Sequence, residues 1–243
     1  MADPLGTRAG GSMNDDNIVV GFVEYVGDPA SWTGQDGLLW RILEHSVYTV
    51  LALAMAALIA LPVGLLIGHT NRGSFLALNI ANAGRALPTL GVLILVALAT
   101  SIDIRPVMVA LVLLGVPPIL ASTYAGIRNV DPDAVDAAVG MGMTGREILW
   151  RVEVPIALPL IISGLRAATL QIVSTATIAA IVALGGLGRP LLDSIATREY
   201  AQAMAAALLV AALAIAFDLV FAALTRVVVS PGVSGRRVAR SRG

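Results

Sequence analysis

Residues 46–68 read SVYTVLALAMAALIALPVGLLIG, a run of 23 positions without a charged side chain. At 1.5 Å per residue such a helix reaches about 34 Å, enough to cross the roughly 30 Å hydrocarbon core of a bilayer. Pro62 and Gly64 interrupt it, which membrane helices tolerate better than soluble ones. The run begins late, is long, and follows acidic rather than basic residues. A cleaved signal peptide is therefore not expected.

The same pattern recurs along the chain. Phe75–Thr100 is apolar apart from Arg85 and contains Pro88, which pushes Leu87 out of the α region and predicts a kinked or broken helix. Val107–Ile127 carries Pro117-Pro118, Pro155–Leu184 is long enough to be tilted or broken, and Tyr200–Thr225 closes the series. Hydrophobic residues make up 57% of the 243 and the mean hydropathy is +0.85. Soluble domains are about 45–50% apolar. The expectation is an all-α bundle of about five transmembrane helices, near 46–68, 75–100, 107–127, 155–184 and 200–225, leaving no room for a soluble catalytic domain.

Thiol chemistry is excluded because there is no Cys, and all 16 basic residues are Arg. His45 and His69 are 24 residues apart, so no metal site is expected. Arginine placement gives an orientation. With five spans and a cytoplasmic C-terminus, Arg72, Arg128, Arg146, Arg151, Arg226, Arg236, Arg237, Arg240 and Arg242 share the cytoplasmic side. Arg8, Arg41, Arg105, Arg189 and Arg198 fall on the other. That asymmetry follows the positive-inside rule. The chain divides into an acidic extracytoplasmic segment 1–45, a membrane domain 46–226 and an Arg-rich cytoplasmic tail 227–243. Within the first, Asp28–Glu44 predicts a turn around Trp32–Gly37 and then a surface-lying interfacial helix. Trp32 and Trp40 suit the membrane–water boundary.

The polar connection 128–153 is too long for a mere turn. Its core, Asp131–Pro155, reads DPDAVDAAVGMGMTGREILWRVEVP. Asp131 and Asp133 around Pro132 are good first-turn residues, so a short helix is expected over Ala134–Val139. A Gly-interrupted turn, Gly140–Gly145, should follow, and then a second amphipathic stretch, Arg146–Val154, with Ile148, Leu149 and Val152 on one face.

The spacing Asp136-Ala137-Ala138, Gly142 and Val152-Glu153-Val154-Pro155 resembles the "EAA" loop of binding-protein-dependent ABC permeases of the type I importer fold. Asp136, Val152 and Val154 depart from the family's Glu, Ile and Leu while keeping charge or apolarity. The stretches Glu44–Gly73, Gly84–Leu93 and Ile178–Ile195 are similar to the glycine betaine/carnitine/choline/proline branch, and the resemblance covers about residues 30–226. It implies a loop docking on a separate cytoplasmic ATPase dimer, with Asp136, Ala137, Ala138, Gly140, Gly142, Arg146, Glu147 and Pro155 as coupling residues. Small Ala137 and Ala138 would allow close approach of the partner. It further implies a second permease, identical or paralogous, and an extracytoplasmic substrate-binding protein. The implied role is a transport subunit of a bacterial inner membrane importer for osmoprotectant amines, not an enzyme. The alternative is a permease of the same fold for amino acids or another small polar solute.

Other features fit a conduit. No P-loop follows Gly185-Gly186-Leu187-Gly188, which lacks the Lys-Ser/Thr of a phosphate cradle. No cofactor is expected, ATP being left to the partner, and no nucleic acid. Gly185, Gly186 and Gly188 are expected in an extracytoplasmic gate loop or a plain flexible connection. Arg85, Arg166 and Asp218 are the ionisable residues inside spans, where charge usually marks function or pairing. Asp218 should pair with Arg85 or Arg166, or else the three line a pathway. The Ala-rich fifth run suits close packing, in the core or at a dimer interface. The terminal Arg cluster suits contact with anionic lipid or a disordered end. An intramembrane enzyme would need paired acids or a Ser/His set, and a secondary carrier commonly shows inverted repeats. Neither pattern is visible.

Overall fold

The computed structural model describes residues 15–34, 36–73, 75, 79, 88–99, 103–182 and 185–228. Ten α-helices are described: α1 (Asp15–Gly27), α2 (Pro29–Trp32), α3 (Leu38–Thr70), α4 (Thr89–Ala99), α5 (Ile104–Arg128), α6 (Pro132–Gly140), α7 (Gly145–Ile148), α8 (Val154–Ala176), α9 (Gly188–Thr197) and α10 (Tyr200–Val228). A π-helical turn, Leu149–Glu153, fuses α7 to α8, and a 3₁₀ turn, Thr177–Val182, follows α8. Among the described residues four helices are long and apolar enough to cross a membrane: α3, α5, the fused Gly145–Ala176 and α10.

The bundle is built on α5, which packs against α3, α8 and α4. In its most apolar window 67% of α5 is buried, against 6% for α10. Pro117 and Pro118 lie inside α5 without ending it, and both are buried. The α3–α5 contact rests on small residues recurring every four positions, Ala52, Ala56, Ala60, Gly64 and Gly68, all buried. In a membrane, where water does not drive helices together, such close approach supplies the packing. A Cβ at Gly64 would stand 2.8 Å from the Thr123 Cβ, and one at Gly68 2.8 Å from the Ile127 Cβ. Gly64→Leu therefore overpacks this seam. The expected cost is about 1–3 kcal/mol, read as a lower midpoint of thermal unfolding in detergent, with Leu58→Ala on the opposite face of α3 nearly neutral. The outward surfaces of α3 and α10 present Leu58, Leu66, Ile215, Leu219 and Val220, all exposed. Apolar exposure on this scale suits lipid.

Several expected boundaries shift. The first long helix begins at Leu38, eight residues before the apolar run at Ser46, and the stretch expected as an interfacial helix continues into it, with Leu38, His45 and Thr49 buried on one face. Ahead of it, the Trp32 indole at the end of α2 donates to the Val26 carbonyl at 2.7 Å. The fourth span is α-helical only to Ala176, after which the backbone tightens. Pro88 lies just outside α4. Residues 76–78, 80–87 and 100 of the expected second span, Arg85 included, lie outside the described residues, as do residues 1–14 and 229–243. Helix α1 had no counterpart in the sequence reading. It lies against α10, with Gly21 so close to Ala201 that a Cβ there would stand 3.1 Å from the alanine's own.

Candidate functional site

Local chemistry fixes the shape of the loop after α5. Asp131 accepts from the Asp133 N–H at 3.0 Å and Pro132 occupies the first turn, so α6 starts where Asp-Pro-Asp stands. The helix stops at a left-handed residue, Gly142 (φ 80°). The Met143 N–H donates to the Ala138 carbonyl at 3.1 Å and the Gly142 N–H to that of Val139 at 2.9 Å. This crossed pair is the Schellman arrangement, which requires a residue free of a Cβ penalty at Gly142. Two residues later Thr144 caps α7 in a reciprocal box: its hydroxyl accepts from the Glu147 N–H at 3.4 Å, and its own N–H donates to Glu147 Oε2 at 2.9 Å. Thr144→Ala should cost about 1 kcal/mol, measurable as a small drop in melting temperature.

The expected coupling residues separate into two groups. Asp136, Ala137, Gly140, Gly142, Arg146 and Pro155 are exposed, as are the apolar side chains of Val139, Met141 and Trp150. Ala138 faces inward and is buried, and Glu147 is engaged in the capping box. Of the two alanines only Ala137 is open to a partner. The second amphipathic stretch is not a separate helix. It runs through the π turn into α8, so the loop is one short helix and the protruding end of a span.

That π turn carries the residue that sequence reasoning missed. Glu153 is only 6% exposed, and its Oε2 lies 2.6 Å from Nδ1 of His69 in the last turn of α3. Gly145 stands over the other edge of the imidazole, where a Cβ would be 3.3 Å from Nε2. A buried carboxylate needs such a partner. π-Bulges often accompany functional positions. The bond ties the loop directly to the first span. Sequence alone offered only a hint, a Glu within an apolar Val-Glu-Val-Pro run.

At the opposite end of the bundle, Gly185–Gly188 is held in place. The Gly186 N–H donates to Glu44 Oε2 at 2.8 Å and the Leu187 N–H to His45 Nδ1 at 3.3 Å, while His45 Nε2 lies 2.9 Å from the Val173 carbonyl. His45 is fully buried. With Nδ1 accepting, its Nε2–H donates, so the ring links α3, the glycine segment and α8. Gly188 packs so tightly on the Thr177 carbonyl that no Cβ fits. The segment expected as a gate or flexible connection thus opens a ten-residue helix, α9. Between α9, the start of α10 and the 36–41 segment lies a polar cleft of about 250 Å³ lined by Arg41, Arg189, Asp193, Glu199 and Gln202.

Inside the membrane region, Asp218 of α10 meets Arg166 of α8. Nε and NH2 of the guanidinium reach Oδ1 and Oδ2 at 2.5 and 2.6 Å, a bidentate fork. Arg85, the other expected partner, lies outside the described residues. The pair is not enclosed: the side chains are 44% and 28% exposed.

Comparison with known proteins accords with this architecture. Residues 60–230 match the family described as binding-protein-dependent transport system inner membrane component. The glycine betaine/carnitine/choline transport system permease protein OpuCB of Bacillus subtilis is 30% identical over 200 residues, covering 82% of this chain and 92% of its own. The osmoprotectant import permease protein OsmY of Salmonella typhimurium is 32% identical over 190 residues, covering 77% of this chain and 80% of its own. Among solved structures, an inward-facing MetNI methionine ABC transporter chain aligns with a TM-score of 0.69 at 21% identity, covering 79% of this chain and 96% of that one. The chain belongs to the binding-protein-dependent transport system inner membrane components, the multi-pass permease subunits of ABC importers.

Proposed function

We propose that this permease carries quaternary-amine osmoprotectants such as glycine betaine, choline or carnitine, and that the loop from Asp131 to Glu153 couples it to a separate ATPase. Substrate names come from its relatives, whose printed transport roles agree on this class. One observation carries the coupling reading: α6 presents Asp136, Ala137 and Val139 outward from a helix whose end is fixed by Gly142 and whose loop is bonded to the first span through Glu153 and His69. An ATPase dimer closing on ATP would push α6 in each of two permeases, identical or paralogous. That push would reach both the fused helix and α3 and switch the pathway between outward and inward openings. A substrate-binding protein would deliver solute at the end holding Gly185 and α9, where the polar cleft lies. The positive-inside rule supports this orientation, with Arg72, Arg128, Arg146, Arg151 and Arg226 at the α6 end.

The test is photo-crosslinking in the assembled complex. Benzoylphenylalanine at Ala137 should capture the ATPase, whereas the same group at Leu58 should not. Absence of capture at Ala137 from an intact complex refutes the docking assignment. A solute panel in proteoliposomes separates the substrate readings. Stimulation of ATPase activity by glycine betaine with its binding protein supports the osmoprotectant assignment, and stimulation only by an amino acid overturns it.

A further inference from the structure

Helices α3 and α8 show different outward faces. On α3 the exposed positions between Val47 and Leu66 include Val50, Leu51, Met55, Leu58, Ile59 and Val63, every one apolar. On α8 the exposed positions begin in the same way, with Ile156 and Leu160, and then change character. From Ser163 onward they are Ser163, Arg166, Ala167 and Ser174, with half-buried Leu170 and Gln171 beside them. Spacings of three and four residues put these on one face. At 1.5 Å per residue the strip runs about 16 Å from mid-helix toward the end that carries Gly185.

We propose that this face of α8, from Ser163 to Ser174 and centred on the Arg166–Asp218 fork, is a water-exposed wall of the solute pathway. The assignment rests on the transport reading above and names the surface along which solute would move. Lipid is a poor neighbour for it, since charged side chains within spans face water or protein. The fork satisfies Nε and NH2 of Arg166 but leaves nearly half of that side chain open. Its remaining N–H donors and the outer carboxylate lone pairs of Asp218 need hydrogen-bonding neighbours, which water supplies and the flanking apolar face of α10 (Ile215, Leu219) does not. Among the solutes named above, the zwitterions glycine betaine and carnitine match both charges of the pair, whereas choline, a cation, matches Asp218 alone. The guanidinium offers a partner for a zwitterion's carboxylate and Asp218 a partner for its cationic group, so the pair can be touched in passing without being broken.

The chain has no cysteine, so single replacements report cleanly. Ser163→Cys, Ala167→Cys and Ser174→Cys are compared with Leu58→Cys and Ile59→Cys, each permease assembled with its ATPase and binding protein in proteoliposomes. The probe is the membrane-impermeant trimethylammonium-ethyl methanethiosulfonate, and the readout is the mass of the permease chain over time. The α8 positions should label at least about tenfold faster than the α3 positions, with rates that change when ATP and loaded binding protein cycle the complex. Labelling as slow as on α3, with full reaction after denaturation, overturns the wall and places lipid there. Spontaneous disulfide-linked permease dimers at Ser163→Cys or Ala167→Cys, without labelling, overturn it in favour of an interface between copies. Fast labelling in a complex that does not transport glycine betaine supports the wall and removes only the substrate assignment.

Discussion

His69→Ala should destabilise the purified permease by about 1–3 kcal/mol, the usual cost of leaving a buried polar group without its hydrogen-bond partner. Glu153 is nearly inaccessible, whereas the His69 side chain is about a quarter exposed. The damage is therefore asymmetric. Glu153→Ala leaves a histidine that water can reach and should cost less. The double variant should be more stable than His69→Ala alone. Thermal unfolding of the three proteins in one detergent checks this ordering, and a double variant weaker than both singles would contradict it. If the bond also transmits motion between loop and first span, Glu153→Ala should hydrolyse ATP while importing less solute per ATP. Glu153→Gln, which keeps an acceptor for the imidazole, should recover part of that ratio.

The Arg166–Asp218 fork carries the second large effect. Neutralising one member leaves the other, on a neighbouring span, without the partner of its bidentate fork. Asp218→Ala and Arg166→Ala should each lower assembled complex or uptake well below the wild type, by loss of the fork that joins α8 to α10. The exchange Arg166→Asp with Asp218→Arg should restore much of what either single change loses. Quantitative blots of membrane fractions, read beside uptake, separate loss of assembly from loss of transport. Failure of the exchange at normal membrane levels would show that polarity along the pathway, rather than pairing, sets the requirement.

These two sites mark what sequence could and could not reveal. The spans were legible because the apolar runs are long, and the loop because Asp136, Ala137, Ala138 and Gly142 stand at fixed spacing. Asp218 was legible as a group needing a partner, since an acid inside an apolar helix has few alternatives. The inward side of Ala138 was hidden, since adjacent alanines on a helix point about 100° apart and only packing decides which one faces the partner. Glu153 was hidden for a different reason: the π turn shifts its register by one position, so α-helical spacing does not bring it to His69. The glycine segment looked loose because glycine permits motion. Here Gly188 lies where only a bare Cα fits against Thr177, and Gly186 adopts φ 72° beneath His45. Helix α1 escaped notice because Asp15–Gly27 is short, and its place depends on the distant start of α10.

Transport itself tests the central claim most directly. Cells lacking their own betaine transport would carry this permease with its neighbouring ATPase and binding protein, and labelled glycine betaine uptake would be followed beside a Gly142→Pro variant. Proline cannot adopt φ near 80° and removes the N–H that closes α6, so the loop should lose its shape while the spans remain. ATP-dependent uptake by the wild type that disappears in the variant, at equal membrane levels, is the predicted result. Undiminished uptake by Gly142→Pro would contradict the coupling loop, and absence of betaine uptake from an assembled wild-type complex would contradict the osmoprotectant assignment.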